Sequence, residues 1–133
     1  MVRLVLMSAG MSQACELKAR TKAFAVDVVL FCRTLPRSLE TYKIAGQLIK
    51  AATSVGANYR ACCRARSSAE FISKIGVVLE EADESEFWLD LLVELGHCPD
   101  TAKVLRQEAG ELTAIFAASS ITARSNNPSN RRQ

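Results

Sequence analysis

Four carboxylates that could ligate a metal ion stand together in the second half of the chain: Glu80, Glu81, Asp83 and Glu84. Helical bundles that bind two metal ions supply Glu from several helices together with Glu-x-x-His motifs. This chain has one histidine, His97, and no Glu-x-x-His. Only half of the ExxE…ExxD arrangement of helical nucleotide pyrophosphatases is present, at Glu80 and Asp83. The favoured interpretation is a solvated acidic face or the counterpart of a neighbour's Arg and Lys. A metal-dependent phosphohydrolase that uses Glu80, Asp83 and Glu84 is a third hypothesis behind two non-enzymatic ones.

Nucleophilic chemistry is the second possibility, because His97 is followed directly by Cys98. Sequence neighbours rarely point at each other, and no third residue is evident to orient such a base. The adjacent Cys62 and Cys63 fit small packing residues of a helix, and the five cysteines form no CxxC pair. Reduced thiols of a cytoplasmic protein explain this pattern best. With no Gly-rich phosphate loop, GxSxG or zinc spacing, the sequence predicts no catalytic residues, no cofactor, no metal and no enzymatic activity.

Basic side chains on one side of a predicted helix are the best functional candidates: Lys43, Lys50, Arg60, Arg64 and Arg66. Cations on a rigid helix can contact phosphates, which predicts salt-sensitive and mostly sequence-independent binding of RNA or DNA. The alternative is a solvated face, or one that pairs with acidic residues inside the bundle or across subunits. No exposed aromatic series accompanies these residues in the sequence, so both interpretations stay open.

The charge of the chain is divided into two opposite fields. Residues 1–66 carry eleven Lys/Arg and three Asp/Glu, a net of +8, whereas residues 67–111 carry three and eleven, a net of −8. The overall charge of +3 hides this division. A field of one sign over half of a small domain suggests a charged partner or a charge-matched subunit.

Apolar residues recur at helical spacing through the whole chain, and nothing reads as a strand. A proline after Leu35 ends the first helix, the S-x-x-E capping box at Ser67 and Glu70 begins the third, and Gly96 ends it. Connections are short, so the sequence predicts an all-α, antiparallel up-down-up-down four-helix bundle. The predicted helices run over residues 14–34, 39–64, 67–95 and 99–123.

The third predicted helix carries two apolar faces, although a lone bundle needs only one per helix. Its main stripe includes Phe71, Ile75 and Leu89. The second set lies away from that stripe and predicts contact with another subunit. Its members are Val77, Phe87, Trp88, Leu91 and Leu95. Trp88 is the strongest single candidate, because Trp is enriched at the energetic centre of interfaces.

The chain of 133 residues is long enough for one domain with its own core. We expect residues 13–124 to form the bundle, residues 1–12 to be a flexible leader, with Met7 or Met11 as an alternative start, and residues 125–133 to be a disordered tail. The apolar run from Leu4 to Met7 is too short for a signal peptide, and no window reaches membrane-spanning length without charges.

Three segments resemble a specific family: TSVGANYRA at 53–61, ARSSAEFISK at 65–74 and EEADESEFWLDLL at 80–92. They are similar to bacterial four-helix bundle proteins whose reading frames were first noticed in intervening sequences of 23S ribosomal RNA genes, and which were once misnamed a ribosomal protein. The resemblance covers residues 17–122. One departure is the Cys62-Cys63 pair, where relatives often carry Ala or a charged residue.

The resemblance implies a cytoplasmic bundle that assembles into a homopentameric ring and has no established enzymatic activity. The chain is also similar to the accessory bundle proteins of diversity-generating retroelements, which form comparable rings and bind nucleic acid beside a reverse transcriptase. The leading hypothesis is therefore a non-enzymatic homo-oligomer, a pentameric ring, that binds RNA or DNA through its basic face. The alternative is a structural or protein-interaction module whose subunits are charge-matched.

Overall fold

The computed structural model describes residues 12–127, which form four helices without any strand. The helices are α1 (Gln13–Cys32), α2 (Leu39–Cys63), α3 (Ser68–Glu94) and α4 (Pro99–Ser125). The predicted four-helix bundle is confirmed, and each helix ends within two residues of its predicted bound. Since α4 reaches Ser125 and Asn126 caps it, the predicted tail begins slightly too early. The expectations for residues 1–11 and 128–133 lie outside the described residues.

Short polar side chains begin three of the helices. Ser12, Ser38 and Ser67 each accept a hydrogen bond from a backbone N–H of the first helical turn. The predicted capping box at Ser67 is only half formed, because the Glu70 carboxylate accepts the backbone N–H of Arg66, at 3.0 Å, instead of that of Ser67. The reciprocal box occurs at Ser38, whose backbone N–H donates to the Thr41 hydroxyl.

In the turn between α3 and α4, two of three consecutive residues have a left-handed backbone conformation. Gly96 has φ of +76° and ends α3 in the predicted way. Cys98 has φ of +46° and is the N-cap of α4, but its side chain makes no capping hydrogen bond. Left-handed backbone costs a residue with a Cβ about 1 kcal/mol, so this turn holds a strained position directly before Pro99.

The four helices enclose one core. Each helix packs against its neighbour in sequence and α1 packs against α4, which is the order of neighbours expected in an up-and-down bundle. Both α2 and α4 bury one apolar face along their length, and Tyr59 of α2 meets Phe116 of α4 with ring centroids 5.3 Å apart. On α3 the buried face also includes Ser85 and Leu92, whereas Phe71 is only partly buried.

Gly56 of α2 lies against the backbone of Thr21 in α1. A Cβ added to this glycine would be 3.5 Å from the backbone oxygen of Thr21. Alanine would just fit, and any larger side chain would push α1 outward. Gly56 therefore lies in the α1–α2 contact, but the contact has room for one Cβ and does not by itself require a glycine.

Within residues 12–127 no helix has both the length and the apolar character needed to cross a membrane.

Candidate nucleic-acid interface

The five predicted phosphate-binding residues are all exposed. Lys43, Lys50, Arg60 and Arg64 project from the side of α2 opposite to its buried face, and Arg66 follows in the turn before α3. At about 100° per residue, Lys43, Lys50 and Arg64 lie within about 60° of one another around the helix. With a rise of about 1.5 Å per residue, they extend over about 30 Å of its length. We call these five exposed cations together the α2 basic face.

The side chains of the α2 basic face take almost no part in charge pairing inside the bundle. In the part of the chain that the structure describes, none of its five side chains forms an ion pair. The one electrostatic link is between Lys50 and Glu81 of α3. The other four cations thus have no ion pair among the described residues, and a solvated face, a partner subunit or nucleic acid can each account for them.

The acidic residues of α3 form the opposite surface. Glu80, Asp83 and Glu84 are exposed and have no ion pair among the described residues. Burial raises the pKa of the Glu81 carboxyl above its ordinary value, the charges of Glu84 and Glu80 raise it further, and Lys50 opposes them. Across residues 12–127 no group of three or more His, Cys, Asp or Glu is placed to hold a metal ion.

The histidine and the thiols lie in packing and turn positions. The His97 ring nitrogen Nε2 is 3.7 Å from the Glu40 carboxylate, so this side chain bridges the start of α2 and the α3–α4 turn. Cys62 is buried, and desolvation raises the pKa of its thiol to about 11. Burial raises the pKa of the Tyr59 hydroxyl above its ordinary value, and the neighbouring Cys63 thiol raises it further.

The second apolar set of α3 divides into two kinds of residue. Val77, Phe87 and Leu95 are exposed, with 58% of Phe87 accessible. Trp88 and Leu91 are half-buried and pack against the core. The Trp88 ring meets Phe87 edge-on, with centroids 5.0 Å apart, and its indole N–H is buried without a hydrogen-bond partner among residues 12–127. Of the two aromatic residues predicted to lie in an interface, Phe87 is thus the exposed one and Trp88 the one that packs against the core.

Sequence reasoning missed an open groove between the end of α1 and the first half of α2. Its volume is about 1230 Å³. Leu39 and Tyr42 stand on its α2 side, and Tyr42 is 81% exposed. One signal was available: both residues fall outside the buried stripe of α2 and beside Lys43. The sequence analysis found no exposed aromatic series beside the basic residues, and Tyr42 is a single exposed aromatic residue at that place.

With this geometry, the comparison with known proteins becomes informative. The model of the family described as 23S rRNA-intervening sequence protein matches residues 14–118. The chain belongs to this family. The matched span contains nearly all of α1, all of α2 and α3, and α4 as far as its last turns, so the family assignment rests on the whole bundle.

A solved structure supports the same assignment. The crystal structure of a protein with unknown function from the S23 ribosomal protein family of Bacteroides thetaiotaomicron VPI-5482 is 28% identical to this chain, with a TM-score of 0.71. The alignment covers 78% of this chain and 97% of that one. Among curated protein sequences, none matches. The family and its solved member carry no described function, so the similarity to retroelement accessory proteins remains a prediction.

Proposed function

We propose that this protein is a non-enzymatic, ring-forming homo-oligomer that binds RNA or DNA through the α2 basic face. One observation carries the proposal: the exposed cations of α2 and the following turn have almost no partner within the bundle. A cationic surface about 30 Å long lies parallel to a rigid helix, and phosphates are the polyanion that such a surface attracts without sequence preference.

The oligomeric part of the proposal is supported by the exposed apolar residues of α3. Phe87 and Leu95 lie on a helix that already buries another face in its own core. Exposed apolar surface of this kind marks a protein–protein contact. A pentamer, the ring size implied by the family resemblance, predicts a light-scattering mass of five times the 14.5 kDa of one chain.

Nucleic-acid binding is tested with the double variant Arg64→Ala/Arg66→Ala against the matched control Lys22→Ala/Lys103→Ala. Each variant loses two exposed cations, but only the first loses them from the α2 basic face. Mobility shifts with structured RNA and duplex DNA, measured from about 50 mM salt upward, give the slope of log affinity against log salt. That slope should fall by about 1 for each phosphate that the protein no longer neutralises, and only in the first variant. Absence of wild-type binding at about 50 mM salt would refute the proposal.

A second function, a charge-matched structural module without a nucleic-acid ligand, is favoured by the opposite signs of α2 and α3 and by the Lys50–Glu81 link. The variant Arg60→Glu separates the two. If the cations serve subunit matching, this variant should dissociate the oligomer in light scattering. If they serve nucleic acid, the oligomer should persist while the mobility shift weakens. The absorbance ratio of protein purified at low salt is a direct companion measurement, because bound nucleic acid copurifies.

A further inference from the structure

The groove between α1 and α2 has an apolar floor with a basic rim. Val29, Leu35 and Ile49 line it together with the exposed Leu39 and Tyr42. The rim is formed by Arg33, Arg37 and Lys43, none of which has an ion pair within residues 12–127. A groove of this composition fits an amphipathic helix that carries acidic residues beside its apolar stripe.

The outer face of α3 has that composition. Phe87, Leu91 and Leu95 recur every four residues, and the exposed Glu84 and Glu94 stand beside the two ends of this segment without ion pairs in the described chain. We call residues 84–95 the α3 stripe. From Phe87 to Leu95 the stripe is about 12 Å long, and the α2 wall of the groove from Leu39 to Ile49 is about 15 Å long, at about 1.5 Å per residue.

We infer that the groove between α1 and α2 binds the α3 stripe of a second copy of this chain. The inference rests on the homo-oligomeric part of the proposed function and names its two surfaces. It brings the apolar residues Tyr42 and Phe87 into one interface and sets Arg33, Arg37 and Lys43 opposite Glu84 and Glu94. Complementary charge around an apolar centre gives the contact a defined register.

In the ring of the proposed function this contact is heterologous: every chain offers its groove to one neighbour and its stripe to the other. Such a contact builds a ring when the rotation closes. It also divides the basic residues between two roles. Lys43 lies in the groove, whereas Lys50, Arg60, Arg64 and Arg66 lie outside its lining and stay available to phosphates. Interface variants and nucleic-acid variants therefore use different side chains.

Three substitutions of an exposed apolar residue by Glu test the pairing with equal changes of charge. Tyr42→Glu blocks the groove, Phe87→Glu blocks the stripe, and Ile121→Glu on the outer side of α4, 69% exposed, is the control. Size-exclusion chromatography with light scattering should show an oligomer for the wild type and for Ile121→Glu. It should show monomers for each of the other two variants.

The decisive measurement mixes the two monomeric variants in equal amounts. The intact stripe of Tyr42→Glu should occupy the intact groove of Phe87→Glu, and growth should stop at a dimer of twice the mass of one chain. Circular dichroism checks that each variant is folded. Should Phe87→Glu unfold through its contact with Trp88, Glu84→Lys replaces it as the stripe variant.

Three outcomes overturn the inference: an unchanged oligomer for Tyr42→Glu, no complex in the mixture, or a monomeric wild type. Loss of the mobility shift in Tyr42→Glu while the oligomer persists also overturns it, since the groove would then be a base-stacking site for single-stranded nucleic acid. If the Arg64→Ala/Arg66→Ala variant keeps the salt dependence of the wild type while the mixture of monomeric variants forms the expected dimer, only the nucleic-acid function is refuted.

Discussion

The ion pair between Arg20 of α1 and Glu108 of α4 should be the most important polar contact for stability. Arg20 Nε donates to Glu108 Oε2 at 2.9 Å, Nη2 donates to Oε1, and Nη2 also donates to Glu111 Oε2 at 3.2 Å. The bidentate geometry is the strong form of an Arg–carboxylate pair. The side chains of Arg20 and Glu108 are only 24% and 21% exposed. They join α1 to α4, the pair of neighbouring helices with the least extensive packing in the bundle.

The magnitude follows from this partial burial. Fully exposed pairs couple by about 0–1 kcal/mol, and removing one partner of a fully buried pair costs about 3–5 kcal/mol. A pair that is mostly but not fully covered lies between, so Arg20→Ala should lower the free energy of unfolding by about 2 kcal/mol, with a coupling to Glu108 of about 1.5 kcal/mol. At about 4 °C per kcal/mol, the melting temperature should fall by about 8 °C.

A double-mutant cycle with Arg20→Ala and Glu108→Ala, followed by denaturant unfolding at one protein concentration, measures the coupling. The internal control is Arg106 of α4 with Asp90 of α3, a single hydrogen bond of 2.7 Å between side chains 36% and 50% exposed. That pair should couple by less than about 1 kcal/mol. A coupling for Arg20 and Glu108 no larger than that of the control would refute the argument from burial and bidentate geometry.

Three further predictions concern backbone, thiol and carboxyl groups. Gly46→Ala and Cys98→Gly should each raise the free energy of unfolding by about 0.5–1 kcal/mol. A Cβ at Gly46 meets nothing within 4 Å, and Cys98 has a left-handed backbone that glycine adopts without strain. A lower melting temperature for either variant contradicts this. Cys63 should react with a maleimide far faster than the buried Cys62, whose thiol pKa is about 11, and equal rates by mass spectrometry would count against that packing. The pKa of Glu81 is raised in the folded state, so the contribution of its protonated form to stability is present below the ordinary value of 4.5 and is lost as pH rises through the folded pKa. The variant Glu81→Gln should therefore raise the melting temperature at pH 7 and leave it unchanged near pH 4.

The helices could be predicted from the sequence because their cause is local. A period of 3.6 in apolar residues, a serine before each of the first three helices and a glycine after α3 act within a few residues of the position that they specify. The half-formed box at Ser67 shows the limit of this reasoning. The carboxylate of Glu70 can reach two neighbouring backbone N–H groups, and its choice of Arg66 depends on the path of the preceding turn.

The candidate site could be predicted only in part, because its environment is set by distant residues. The exposure of Lys50 and Arg64 followed from their helix angle. Tyr42 was missed because the groove beside it is formed jointly by the end of α1, the connecting turn and the first half of α2, an arrangement that no local pattern encodes. Pairing was equally inaccessible: nothing near Arg20 indicates that its partner is Glu108 in the last helix.

The ion pairs of the bundle show which of its positive and negative surfaces are not neutralised within the described chain. Pairing within the described chain uses Arg20 with α4, Arg106 with α3 and Lys74 within α3, whereas the α2 basic face and the outer acids of α3 are left over. These two surfaces belong to neighbouring helices. Cations of α2 placed opposite acids of α3 could therefore have formed ion pairs across the α2–α3 contact. Among the described residues, Lys50 is close enough to Glu81 of α3 to oppose the rise of its pKa, but the two form no ion pair. Like charges kept together on a folded surface cost self-repulsion. The division therefore makes most physical sense if each surface meets its counter-charge on another molecule, the acids of α3 on a neighbouring chain and the cations outside the groove on phosphates.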